Sequence, residues 1–274
     1  MSLVKNLQVN AHGIKLNALD FGGDPARDIL LLHGLAGCGM EWENTAEWLT
    51  HYGRVIALDQ RGHGESRDGV SEFSRTSYVH DVIYTIEHYC RPPVVLIGQS
   101  MGGLNAFLAA AKRPELVKLL IVAEGTPDPN PGSKEQIRNW LEGWPVPFRS
   151  KEEAKKFFGG DTLYARTFAA SLEKLEDGYW PAFNNKDMIR SMDDVVSQNY
   201  WNDWRKITCP TLIVGGEKSF ISQELLKKMA KVIPDGKYAC ISRAGHDVHL
   251  EAPYEWRSTV EKYIKEILLK SAGE

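Results

Sequence analysis

Gly98-Gln99-Ser100-Met101-Gly102 sets a serine between two glycines, directly after the apolar run Val94–Ile97 and before Leu104 and Ala106–Ala111, which read as a helix. On a strand-turn-helix bend this tight, the serine takes a strained backbone conformation and its Oγ stands clear of the sheet edge. The start of the helix adds free N–H groups and the positive end of its dipole. The chemistry open to such a hydroxyl is nucleophilic attack on a carbonyl carbon. Glycine and serine are common, so the pattern alone is weak; the strand before it and the helix after it give it weight.

A nucleophilic serine needs a base. In a parallel sheet every strand delivers its C-terminal end to one edge, so residues just past different strands converge however far apart they lie in sequence. His246 in Ser242-Arg243-Ala244-Gly245-His246 follows the last apolar run and is the best candidate of eight histidines. His33, His63 and His249 also sit in loops, whereas His51, His80 and His88 fall on amphipathic patterns. The tetrahedral intermediate also needs donors for its oxyanion. The Met101 N–H, directly after the nucleophile, is one; the Leu35 N–H in His33-Gly34-Leu35-Ala36-Gly37 is expected to be the second. No H-E-x-x-H or other metal-ligand spacing occurs, so no metal and no cofactor are expected.

These loops need a scaffold. Leu7–Asn10 and Ile14–Leu19 flank Ala11-His12-Gly13 and read as a hairpin at a sheet edge. Apolar runs then alternate with amphipathic stretches: Ile29–Leu32, Val55–Leu58, Val94–Ile97, Leu119–Ala123, Thr211–Val214 and Tyr238–Ile241. Uninterrupted runs of this length suit strands buried on both faces, which makes the chain an α/β protein with a mostly parallel sheet.

Between Ala123 and Thr211 the strand rhythm stops. The segment opens with Pro127, Pro129, Pro131 and Gly132 and continues through expected helices rich in aromatics, from Trp140 and Trp144 to Trp201 and Trp204. It is expected to be a helical cap over residues 126–207, inserted after strand six into a core of residues 1–125 and 208–274. Most of its aromatics should form the cap's own core, and a minority should line an apolar pocket where cap meets sheet.

Bulk properties narrow the function. A chain of 274 residues, 43% hydrophobic, can bury a large single core. A formal charge of −3 offers no basic field for nucleic acid or an anionic membrane, so a small neutral or apolar substrate fits better. Cys38, Cys90, Cys209 and Cys240 have no C-x-x-C spacing and are expected to be buried and unpaired. Residues 1–10 carry no signal pattern, and no apolar run approaches the ~20 residues of a membrane span, so a cytoplasmic protein is expected.

Four ordered motifs add up to a resemblance: His33-Gly34; Asp59-x-Arg61-Gly62-His63-Gly64-x-Ser66; Gly98-x-Ser100-Met101-Gly102-Gly103; and Gly245-His246-x-x-His249-Leu250-Glu251-x-Pro253. Their order and spacing resemble the α/β-hydrolase superfamily over nearly the whole chain outside the cap. The resemblance implies an eight-stranded, mostly parallel sheet, a serine nucleophile, a histidine base and a third, acidic residue. It also implies that Asp59–Ser66 is a structural loop near the site.

The acid is where the chain departs from the pattern. Relatives usually carry aspartate in a Gly-Glu-x-Asp context after strand seven, but here Gly216-Glu217-Lys218 is followed by Ser219, which cannot supply a negative charge. Glu124 directly follows strand six, a placement that resembles lactone hydrolases of the zearalenone-degrading type and some lipases. Glu217 is the alternative acid, and Asp247 or the cap carboxylates Asp193 and Asp194 remain open. The expected function is hydrolysis of carboxylic esters or lactones of small apolar substrates through an acyl-enzyme. Hydrolases of carbon–carbon bonds share the Ser-Met-Gly-Gly stretch, and a ligand receptor without turnover is the reading from another class.

Overall fold

The computed structural model of the protein describes residues 4–130 and 132–270. Strands β1 (Lys5–Ala11) and β2 (Ile14–Gly23) form the expected hairpin. His12 and Gly13 both have positive φ, 50° and 84°, the combination whose twist matches that of the flanking strands. After them come β3 (Asp28–Leu32), α1 (Glu43–Leu49), β4 (Arg54–Leu58), α2 (Arg75–Tyr89), β5 (Val94–Gln99), α3 (Met101–Lys112) and β6 (Val117–Ala123).

The segment between β6 and the next sheet strand holds helices α4 (Ser133–Glu142), α5 (Lys151–Phe157) and α6 (Leu163–Ala170), then α7 (Asn185–Ser191), α8 (Asp193–Ser197) and α9 (Trp201–Trp204). Between α6 and α7 a small hairpin pairs β7 (Glu173–Leu175) with β8 (Gly178–Trp180), two strands the sequence pattern does not announce. The sheet resumes with β9 (Thr211–Gly216), α10 (Gln223–Val232) and β10 (Gly236–Ile241), and the chain closes with α11 (Val248–Glu251) and α12 (Pro253–Lys270).

The eight strands lie in the order β1-β2-β4-β3-β5-β6-β9-β10. β2 runs antiparallel to both its neighbours; every other pairing is parallel. Chain order reverses at β3: the connection to β4 runs to one side, and the one from β4 to β5 returns to the other. Such a reversal leaves a crevice at the C-terminal ends of the strands, where ligands bind in open sheets of this kind.

Period-two alternation splits the apolar strand residues between two cores. Leu30, Leu32, Leu96, Leu120 and Val122 face α2, α3 and α10 through Val82, Phe107 and Met229. Ile29, Leu31, Val95, Ile97 and Ile121 face α1 and α12 through Leu49, Trp256 and Ile264. Trp144, Phe148, Phe158 and Phe168 form a third core within the β6–β9 segment. That segment is tied down by the buried Arg75, whose N–H reaches Asp194 Oδ2 at 2.6 Å and whose Nη2 reaches the Ser191 carbonyl at 2.5 Å. Cys38 and Cys90 are buried as expected, but Cys240 is exposed on the outermost strand. No helix among the described residues is long and apolar enough to cross a membrane.

Candidate active site

The bend after β5 is too tight for side chains on its inner faces. A Cβ on Gly98 would stand 2.2 Å from the Gly102 carbonyl oxygen, and one on Gly102 would stand 2.2 Å from that of Leu32. Between them Ser100 adopts φ 51° and ψ −115°, a region L-residues rarely enter. Three further non-glycine residues with positive φ lie at the same sheet edge, Ala36 at 64° after β3, Glu124 at 55° after β6 and Arg243 at 63° after β10. Strained backbone thus gathers just past the ends of β3, β5, β6 and β10.

His246 arrives in the loop after β10. Its Nε2 lies 2.8 Å from Ser100 Oγ and its Nδ1 lies 3.0 Å from Glu124 Oε2. The loop is held from three sides. Glu251 accepts from the Gly245 and Asp247 amides at 2.8 and 3.0 Å, Gln99 Nε2 donates to the His246 carbonyl at 3.0 Å, and the Lys218 amide donates to the Ala244 carbonyl at 2.8 Å. Gln99 is the variable residue of the elbow motif, and nothing in its sequence position signals this second role.

The Glu124 carboxylate is buried and fully engaged. Oε1 accepts from the Gly216 amide at 2.6 Å, and Oε2 accepts from the Ser219 hydroxyl as well as facing His246. Ser219, the residue in the position of the family's usual aspartate, therefore hydrogen-bonds a carboxylate that arrives from the end of β6. The structure does not bring the alternative, Glu217, to the imidazole: its Oε2 caps the Arg243 amide at 2.8 Å. Asp193 pairs with Lys134, and Asp194 accepts from the Arg75 amide. Asp247 borders the cavity beside His246 without a hydrogen bond to Nδ1.

Burial alone would lower the pKa of His246. The hydrogen bond to Glu124 and the charges of Asp247, Glu124 and Glu251 together outweigh it, leaving the imidazole above its ordinary value. Phe220 covers the ring from outside, stacked at a centroid distance of 4.5 Å and 30° between planes although it is itself 72% exposed. No packing demand explains an aromatic so exposed, and sequence reasoning gave no sign of it.

Leu35 and Met101 border the same cavity as Ser100, and Met101 opens α3, whose first amide has no acceptor within the helix. Gly34 allows the Leu35 loop to close on the elbow, since a Cβ there would meet Gln99 Oε1 at 2.2 Å and Ser100 Cβ at 3.6 Å. The Asp59–Ser66 loop frames this arrangement from below. Asp59 accepts from the Gly39 amide at 2.6 Å and from Asn17 Nδ2 at 2.9 Å; Arg61 binds both oxygens of Asp81 at 2.6 and 2.8 Å; and the Gln60 amide donates to His33 Nε2 at 2.9 Å.

The cavity measures about 390 Å³. Trp140, Tyr164, Phe168, Met192, Val195 and Tyr200 wall it from the β6–β9 segment, opposite Leu35, Met101 and Leu104 of the sheet layer. Trp144 and Phe148, by contrast, pack among the aromatics of the segment itself.

An eight-stranded sheet of this order, with a serine on the bend after β5 and a histidine after the last strand, defines the α/β-hydrolase class. The chain belongs to the alpha/beta hydrolase fold family, whose pattern matches residues 29–253. It is 26% identical over 254 residues to 2-(acetamidomethylene)succinate hydrolase of Mesorhizobium japonicum, covering 90% of each chain. A putative esterase/lipase of Haemophilus influenzae is 28% identical over 232 residues, covering 82% of this chain and 78% of that one. The crystal structure of E-2-(acetamidomethylene)succinate hydrolase superposes with a TM-score of 0.87 at 24% identity, covering 96% of this chain and 99% of the other, a likeness of fold.

Proposed function

We propose that the protein is a cofactor-independent serine hydrolase that cleaves carboxylic esters or lactones of small apolar compounds through an acyl-enzyme, with residues 126–207 acting as a cap over a core of residues 1–125 and 208–274. The observation that carries this reading is the continuous chain from Ser100 Oγ to His246 Nε2 at 2.8 Å and from His246 Nδ1 to Glu124 Oε2 at 3.0 Å. A nucleophile, a base and a group orienting the base stand within bonding reach in the order that acyl transfer requires.

Ser100 Oγ attacks the carbonyl carbon and its proton passes to His246 Nε2. The imidazolium so formed is steadied by the Glu124 carboxylate, and the oxyanion by the Leu35 and Met101 N–H groups. Collapse of the intermediate returns that proton to the departing alkoxide and leaves the acyl group on Ser100. A water molecule then attacks the acyl carbon while His246 takes its proton, and a second collapse frees the acid and restores the hydroxyl. For a lactone, acid and alcohol leave as one molecule.

The test is a short-chain 4-nitrophenyl ester under pre-steady-state conditions. A burst of nitrophenol is expected from the protein and none from Ser100→Ala. Failure of a fluorophosphonate probe to label Ser100, together with no turnover of a graded series of esters and lactones, would instead mark a ligand receptor.

A further inference from the structure

The cavity beside Ser100 combines an apolar wall with charge of a single sign. Leu35, Leu104, Ile137, Trp140, Phe168 and Val195 supply apolar surface. The acidic residues Glu124, Asp128 and Asp247 also line it, Glu124 with its carboxylate turned to Gly216, Ser219 and His246 and Asp128 accepting from Trp201 Nε1, and among the described residues no lysine or arginine does. The buried guanidinium of Arg75 lies outside this lining and is engaged by Asn105 Oδ1 at 2.8 Å and the Ser191 carbonyl at 2.5 Å. Arg61 is likewise committed, to both oxygens of Asp81.

A substrate bearing its own carboxylate would lose its hydration in this cavity, find only neutral donors such as Thr126 and Gln136 and no counter-ion, and stand close to Asp128 and Asp247. The oxyanion N–H groups offer it no refuge, because they hold the reacting carbonyl oxygen. We infer that the site is selective for charge: it takes an uncharged ester or lactone whose acyl part is apolar and excludes one with a second, ionised carboxyl group, with Asp128 and Asp247 as the residues that set this preference. The inference rests on the acyl-transfer reading of the site. It separates this chain from a relative whose name carries succinate, a dicarboxylate, because a succinate-like group would have no cationic partner here.

The test compares two 4-nitrophenyl esters of adipic acid at neutral pH, one with its far carboxyl group free and one with it capped as the methyl ester. At an effective dielectric constant near 20, one like charge at ~6 Å is enough for a discrimination on the order of 100-fold, so kcat/KM is expected to favour the capped ester by roughly that factor. A ratio within about threefold of unity overturns the inference. The double variant Asp128→Asn/Asp247→Asn is expected to narrow the ratio about tenfold, and a ratio it leaves unmoved removes these two residues from the explanation. Calorimetric binding of the same pair to Ser100→Ala reads the preference without turnover. Discrimination in binding with no cleavage of either ester by the unaltered protein would sink the hydrolase reading and leave charge selection standing; equal binding together with equal turnover would do the reverse.

Discussion

Glu124 Oε2 stands 3.0 Å from His246 Nδ1 although the two residues come from the ends of β6 and β10, with β9 between them in the sheet. The carboxylate reaches past β9 because Glu124 sits at φ 55° and because β9 offers it two donors, the Gly216 amide and the Ser219 hydroxyl. Its oxygens are thus fixed before the imidazole is met, and the Nδ1–H tautomer, which leaves Nε2 free to accept from Ser100, is the one this geometry favours.

Glu124→Gln keeps the shape of the side chain and removes its charge. The amide cannot steady an imidazolium and can face Nδ1 with N–H, which favours the wrong tautomer. In archetypal triads the corresponding change costs about 10⁴ in kcat, and a loss of that order is expected here for a 4-nitrophenyl ester. Nearly full activity would remove Glu124 from the mechanism. Because the Ser219 hydroxyl bonds to the oxygen that faces His246, adding Ser219→Asp to this variant brings a carboxylate close to Nδ1 and should restore roughly ten- to a hundredfold of what was lost.

The pH profile has a definite sign. The proposed mechanism needs neutral His246, whose pKa is lowered by burial but raised more by the hydrogen bond to Glu124 and by the charges of Asp247, Glu124 and Glu251. The acid limb of kcat/KM is therefore expected above the ordinary histidine value of about 6.5, with activity falling as pH drops through it. In Glu124→Gln burial meets weaker opposition, so the limb of the residual activity should move to lower pH. A limb that stays put, or climbs, would show that another group titrates.

Phe220 presents the face of its ring to His246, the arrangement in which an aromatic quadrupole stabilises a cation. In the proposed acyl transfer the imidazole becomes a cation only as Ser100 attacks, so the contact should lower kcat when lost and leave KM nearly unchanged. At an exposed position this is worth about 0.5–1 kcal/mol, or roughly two- to fivefold in kcat, for Phe220→Leu. Ring-fluorinated phenylalanines at position 220 keep the shape and drain the π face, so kcat should fall stepwise with fluorination. A flat series would reduce Phe220 to a cover against water.

The readable parts of the chain were those with one-dimensional signatures. Strands β3, β5, β6 and β9 are apolar runs because both faces of each are buried, and the elbow is a local motif in which Gly98 answers to Gly102 four residues on, although Gly102 answers to the distant Leu32 carbonyl. The β7–β8 hairpin escaped because Glu173-Lys174-Leu175 and Gly178-Tyr179-Trp180 are three-residue strands with no fully buried residue, too short to carry alternation, although Tyr179 packs against the third core. Glu124 could be nominated from its place just past a strand. Glu217 could not be set aside, since its partner, the Arg243 amide, comes from a different loop. Gln99 and Phe220 act on His246 across the chain, Gln99 from the far side of the molecule's sequence and Phe220 from the loop after β9, through contacts that leave no local pattern.

His33 provides a test of how the proposed oxyanion loop is anchored. Its ring is buried between the Gln60 amide, which donates to Nε2 at 2.9 Å, and the Gly34 carbonyl, 2.7 Å from Nδ1, so the fold has room only for the neutral tautomer with hydrogen on Nδ1. Burial pushes its pKa down to about 4 against a smaller opposing effect of the Gly34 hydrogen bond. In the unfolded chain the same residue takes up a proton near pH 6.5, so between about 6.5 and 4 the unfolded state binds a proton that the folded state refuses. Its contribution is then fully present above 6.5 and is lost as pH falls, with a slope approaching 1.4 kcal/mol per pH unit for one proton. His33→Asn is expected to be less stable at pH 7, but its stability should fall less steeply from pH 6.5 to 4.5, by up to that slope. Urea unfolding across this range measures the difference. Parallel curves for the two proteins would mean that His33 takes up its proton without leaving its site.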